Sequence, residues 1–164
     1  LVTNALTGKR VAQVYPQRTG KEFTLFCQLL SQAYPEADKI CLVLDNLNTH
    51  TIASFYKHMP ADEAFTLGQR FEFWFTPKSA SWLNMIEIEF SALTRLCLTR
   101  RIPTIEKLST EVLALVAERM QKGIKINWQF SIAVCRQKLN SRYTVVNDAN
   151  SKFAPSATLE TKNV

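Results

Sequence analysis

Three acidic side chains carry the chemistry this chain can do. Cys41-Leu42-Val43-Leu44 reads as a buried strand that ends on a carboxylate, Asp45, with Asn46 after it. Further along, Trp82-Leu83-Asn84-Met85-Ile86-Glu87-Ile88-Glu89-Phe90 reads as the start of a helix that carries two more acids. Divalent cations need a cluster of oxygen ligands, and carboxylates brought in from separate elements supply it. Two such ions side by side are suited to phosphodiester chemistry. A strand-end Asp can equally well cap the next helix or begin a turn.

Helical geometry separates the two glutamates. At about 100° per residue, Ile86, Phe90, Leu93 and Cys97 define an apolar face, and each glutamate lies roughly 80° from its centre, on opposite flanks. Glu87 shares its flank with Asn84, Ser91 and Thr94, whereas Glu89 shares its flank with Met85, Ala92 and Leu96. A metal-binding carboxylate at a wet cleft belongs on the polar flank, so Glu87 is the choice and Glu89 the reserve. The competing reading for both is a border glutamate paired with Lys or Arg. His50, five residues after Asp45, is placed to reach a phosphate or to support Asp45, or it is a plain surface histidine.

Several elements must position these groups. A turn at Thr7-Gly8-Lys9 within residues 1–15 predicts an antiparallel hairpin. Glu22 to Leu30 has helical spacing after Gly20, and Pro35 stops it. Residues 39–44 form a strand with polarity on neither face, which predicts an interior and parallel position. Asn48-Thr49 caps a helix over 51–58 that Pro60 ends. Phe71, Phe73 and Phe75 alternate with Glu72 and Trp74, a strand that Pro77 breaks. Residues 82–99 read as one helix. Pro103-Thr104 starts another, with Ile105, Leu108, Val112, Leu115 and Val116 on one face. Asn127 caps a third, carrying Trp128, Phe130, Ile132 and Leu139. The order implies an α/β sheet with the hairpin in it and a helical C-terminal layer. Residues 147–164 are polar and aperiodic and read as a disordered tail after a domain over 1–146.

Bulk properties narrow the partner. The formal net charge is +6, which favours a polyanion without identifying one. No apolar run approaches the ~20 residues of a membrane span, and residues 1–20 carry Lys9, Arg10 and Arg18 in place of a signal-peptide core, so the expected setting is cytoplasmic, with no membrane partner. Cys27, Cys41, Cys97 and Cys135 form no CxxC, which argues for reduced thiols rather than a zinc site. Four glycines, none in a phosphate-loop spacing, argue against a Rossmann-type nucleotide enzyme.

Two motifs, Leu42-Val43-Leu44-Asp45-Asn46-Leu47-Asn48-Thr49-His50 and Ser81-Trp82-Leu83-Asn84-Met85-Ile86-Glu87-Ile88-Glu89-Phe90-Ser91, together resemble the bacterial insertion-sequence transposases of the mariner-like superfamily. Cys97 to Pro103, Ile126 to Phe130 and Arg136 to Leu139 extend the resemblance over roughly residues 1–143. It implies a DDE catalytic core of ribonuclease H-like fold. The family's second catalytic aspartate falls on Asp45 and its glutamate on Glu87. These would hold two Mg²⁺ or Mn²⁺ ions, which activate water and then a DNA 3′-hydroxyl for attack on phosphodiesters. The partner implied is double-stranded DNA, bound at phosphates by Lys78, Arg95, Arg100 and Arg101, which otherwise form a solvated helix face. Full-length transposase or a second copy is the implied protein partner.

The departures from the family carry equal weight. The family's first aspartate lies on a first strand, central in the sheet, and no Asp precedes Asp38 here. The expectation is a core lacking that strand and the upstream DNA-recognition domain: a truncated transposase product, with unpaired sheet edges and one ligand short. Ser79 stands where the family often has a histidine, and the tail after Tyr143 fits no family pattern. A non-catalytic module that binds DNA or pairs with transposase is the alternative.

Overall fold

The computed structural model describes residues 1–45, 50–77, 83–129, 131–134 and 136–137. The chain divides into two compact units, Leu1–Ile126 and Asn127–Val164. The first unit runs β1 (Val2–Thr3), β2 (Arg10–Val11), α1 (Gly20–Ala33), β3 (Ile40–Leu44), α2 (Ala53–His58), α3 (Ala61–Gln69), β4 (Phe71–Phe75), α4 (Ile86–Leu96) and α5 (Ile105–Gln121). Among the described residues no helix is long and apolar enough to cross a membrane.

The expected hairpin forms, with Val2 opposite Val11 and Thr3 opposite Arg10. Its turn is held by Asn4, whose Oδ1 accepts from the amides of Leu6 and Thr7, both at 3.1 Å. Gly8 closes it at φ 76°, and a Cβ there would sit 2.8 Å from the Ile124 carbonyl oxygen. Both conditions demand glycine.

β3 and β4 pair in parallel, in register from Ile40–Phe71 to Leu44–Phe75. The stretch between them carries α2 and α3, as a parallel connection requires. One face of this pair meets α1, α2 and α3. Phe23, Cys27, Leu30, Leu42, Phe55, Ala64, Leu67 and Phe71 form the core there. Phe23, Phe55, Phe71 and Phe73 are linked at ring-centroid distances from 5.6 to 6.3 Å, within the range of favourable aromatic packing. Phe55 is fully buried at its centre. Removal of a ring so placed typically costs about 3–5 kcal/mol.

Three expectations are corrected here. The hairpin does not join β3 and β4: the described residues form two separate two-stranded sheets, each with free edges. β3 is not interior on both faces either, because Cys41 and Val43 are exposed opposite the core. A short apolar run cannot by itself report how many layers cover it. The helix expected over 82–99 is shorter, Ile86–Leu96, and residues 78–82 lie outside the described residues.

Other boundaries follow local chemistry. α1 begins earlier than Glu22 because Thr19 and Glu22 form a reciprocal capping box. α5 starts as expected, with Thr104 Oγ1 accepting from the Lys107 amide at 3.3 Å, and Gly123 at φ 62° ends it. α3 was not expected. Pro60 precedes it, and Asp62 and Glu63 sit in its first turn, where the helix dipole favours acids.

In the second unit, residues 127–129 are not helical and 132–134 are, so Asn127 does not start a helix. Phe130, Leu139 and the tail 147–164 lie outside the described residues, as do Asn48 and Thr49.

Candidate functional site

Asp45 stands at the C-terminal end of β3, directly after the last paired residue, with its side chain 43% exposed. His50 Nδ1–H donates to Asp45 Oδ1 at 3.1 Å, since a carboxylate only accepts. The His50 ring is stacked on Phe23, with centroids 4.8 Å apart. Burial pushes the imidazole below its ordinary pKa; Asp45 pulls it back and Arg18 adds to the lowering, but burial prevails. His50 is therefore neutral near pH 7 and holds one Asp45 oxygen in place.

The two glutamates of α4 meet opposite fates. Glu89 is 2% exposed. Arg10 of β2 grips it with both arms of its fork, Nε to Oε2 at 2.9 Å and Nη2 to Oε1 at 2.7 Å. Arg119 of α5 repeats the pattern at 3.2 and 3.1 Å. Arg10 Nη1 also donates to the carbonyls of Gly8 at 2.6 Å and Ile124 at 2.9 Å. Burial alone would raise the Glu89 pKa, but the hydrogen bonds and charges of the two arginines outweigh it and hold the carboxyl below its ordinary value. Both oxygens are engaged by guanidinium groups.

Glu87 is exposed. With Phe90, Ser91, Thr94 and Arg95 it lines an open groove of about 370 Å³ along α4. The buried stripe of α4 is thus Glu89, Ala92 and Leu93, followed by Cys97, while Phe90 is 44% exposed. The apolar face expected around Ile86, Phe90, Leu93 and Cys97 is rotated toward Glu89. A carboxylate can lie at the centre of a buried stripe when two guanidiniums meet it, which hydropathy arithmetic ignores.

Of the basic residues singled out, Arg95 lines the Glu87 groove, and Arg101 is exposed. Arg100 Nη2 pairs with Glu111 Oε1 at 2.7 Å and stays largely exposed. Lys78 lies outside the described residues. Cys27, Cys41 and Cys97 are free thiols, and burial pushes Cys27 up to about 12.

A family model described as DDE superfamily endonuclease matches residues 1–109. This chain belongs to the DDE superfamily of endonucleases. The match spans β1 through α4 and the first turn of α5, so it takes in Asp45, Glu87 and Glu89. No curated protein and no solved structure matches the chain. At the level of the superfamily the domain is transposase-like, its substrate is DNA, and its chemistry is DNA cleavage of the transposase type. The mixed α/β fold with small sheets is compatible with that class.

Nucleases of this superfamily generally use divalent metals. Among the described residues no group of three or more His, Cys, Asp or Glu is placed to hold a metal ion. The described donors by themselves do not make up a complete centre.

Arg10 and Arg119 were not foreseen, because neither has a local signal. They lie 79 and 30 residues from Glu89 in sequence. An acid inside the apolar run Ile86 to Phe90 was the only cue.

Proposed function

We propose that this chain is part of the catalytic domain of a mariner-like, insertion-sequence transposase, with a ribonuclease H-like core. Asp45 and Glu87 are its two acids, and Glu89 is a structural anchor. The observation that carries this reading is the division of labour on α4. Glu89 has both oxygens engaged by arginines, while Glu87 faces a groove that also presents Arg95. Asp45 stands at the carboxyl end of a parallel strand, where functional groups of α/β sheets collect. In the complete family site these acids would serve Mg²⁺ or Mn²⁺, which supplies Lewis-acid chemistry at phosphorus.

Each side chain has its own part. His50 orients Asp45 through the Nδ1 hydrogen bond. Arg95, Arg100 and Arg101 meet the DNA backbone, with Arg100 held ready by Glu111. Lys78 belongs to the same set.

The described residues form no three-acid group. This favours a second reading for the chain on its own: it binds DNA, or pairs with a complete transposase or a second copy, without cutting. A two-metal site short of one shared oxygen ligand is weaker in both positioning and electrostatic stabilisation, and single deficits of this kind cost orders of magnitude.

Duplex DNA binding at graded salt tests the reading. The electrostatic contribution of a few phosphate contacts should drop affinity roughly a hundredfold over a fourfold rise in salt. Little dependence on base sequence is expected. Affinity that ignores salt, or that strongly prefers one sequence, overturns it.

A further inference from the structure

The β1–β2 hairpin stands apart from the β3–β4 pair, yet it holds a charged side chain that is 0% exposed, Arg10. All three guanidinium nitrogens are engaged, Nε and Nη2 on Glu89 and Nη1 on the carbonyls of Gly8 and Ile124. We propose that Arg10 is a positioning residue: together with Arg119 it grips Glu89, and so sets the rotation of α4 that turns Glu87 and Arg95 to their groove. The inference deepens the proposed function and rests on it for the use of that groove.

Apolar packing sets this rotation only loosely. The buried residues of α4 are Glu89, Ala92 and Leu93. Ala92 offers a single methyl group, and apolar burial has no direction. A carboxylate met by a guanidinium fork is different, because two parallel N–H···O bonds fix the plane of approach. Glu89 meets two such forks in one pattern, Nε to Oε2 and Nη2 to Oε1 from each arginine. Turning α4 by one residue, about 100°, would swing the carboxylate off both forks and strand charge in the interior.

The hairpin is shaped to deliver Arg10. The Asn4 amide donates to the Lys9 carbonyl and the Gly8 amide to the Asn4 carbonyl, both at 2.8 Å, which closes the turn. Gly8, lacking a Cβ, lets the turn lie against the Ile124 carbonyl, and the same oxygen accepts from Arg10 Nη1. The Arg10 amide donates to Met120 Sδ at 3.3 Å. The turn is therefore seated on the end of α5, beside Arg119, and both forks reach Glu89 from that seat. Lysine keeps the charge but has no fork, so it should hold α4 without aiming it.

The experiment uses the isotope-labelled full chain without metal. A neutral gadolinium chelate in the buffer enhances the relaxation of each amide according to its exposure. In the parent chain α4 should show a helical wave, strong at Glu87, Ser91 and Arg95 and weak at Glu89, Ala92 and Leu93. Arg10→Lys should cut the contrast of that wave roughly twofold, as α4 samples several rotations. Arg119→Lys changes the less buried fork and carries the same test should Arg10→Lys not fold. Leu93→Val, which trims packing alone, should lower the thermal midpoint and leave the wave intact. A wave unchanged in the lysine variants, or lost equally in Leu93→Val, overturns the positioning role. The link to DNA is read separately. Arg95→Ala should lower the salt slope of duplex binding by about 1 in the parent chain and leave it unaltered in Arg10→Lys. Equal effects in both backgrounds overturn the link between the cluster and the groove. Absence of duplex binding in the parent chain overturns the DNA reading, while the wave still decides the positioning role.

Discussion

Glu87 and Glu89 stand two residues apart on one helix, and their surroundings could hardly differ more. Around Glu89 the chain closes completely, joining β2, α4 and α5 through two guanidiniums. Around Glu87 it opens into a groove. A two-residue step along a helix turns the side chain by about 200°, so one acid faces inward and the other outward. The lesson is that acidity does not mark a functional residue. What its oxygens already touch decides whether they are available for anything else. The Glu89 cluster also fixes the rotation of α4 about its axis, and so aims Glu87.

The largest expected effect lies on the buried side. Glu89→Ala strands two arginines in the interior and should destabilise the fold by about 3–5 kcal/mol, read from urea midpoints. A loss below about 1 kcal/mol would mean that the cluster is not closed. Arg119→Ala should cost less, about 1.5–3 kcal/mol, because Arg10 still satisfies Glu89.

Acid should act through the same residue. Its folded pKa is lowered, so its contribution is present above the ordinary carboxylate range near 4.3 and is lost as pH falls through the lowered folded value. Thermal midpoints measured from pH 6 downward should fall more steeply in the parent chain than in Glu89→Gln. Parallel curves would remove Glu89 from the acid response.

On the open side the effects on stability should vanish. Glu87 is exposed, so Glu87→Gln should shift stability by no more than about 0.5 kcal/mol. A cost comparable to that of Glu89→Ala would erase the distinction between the two sites.

Legibility in the sequence followed the range of the interactions. The β4 alternation, the Gly8 turn and the Pro103-Thr104 start are written within a few residues, and the structure has them. α3 is written locally too, in Pro60-Ala61-Asp62-Glu63, as is the Thr19–Glu22 capping box. Asp45 could be seen because a strand that ends on an acid is a local pattern. The Glu89 cluster could not, since its partners come from distant elements and one of them, Arg10, lies on a two-residue strand.

The claim that Asp45 and Glu87 form one site is tested most directly with Mn²⁺ and isotope-labelled protein. Both acids must reach ions about 3.5–4 Å apart, so their carboxylates should lie within roughly 8 Å of each other. Trace Mn²⁺ should then broaden the backbone amide signals around Asp45 and Glu87 together. Asp45→Ala should sharpen both sets, and Glu89→Gln, where it folds, should leave the pattern unchanged. Broadening at Asp45 with Glu87 left sharp, or a pattern that follows Glu89 instead, would contradict the assignment.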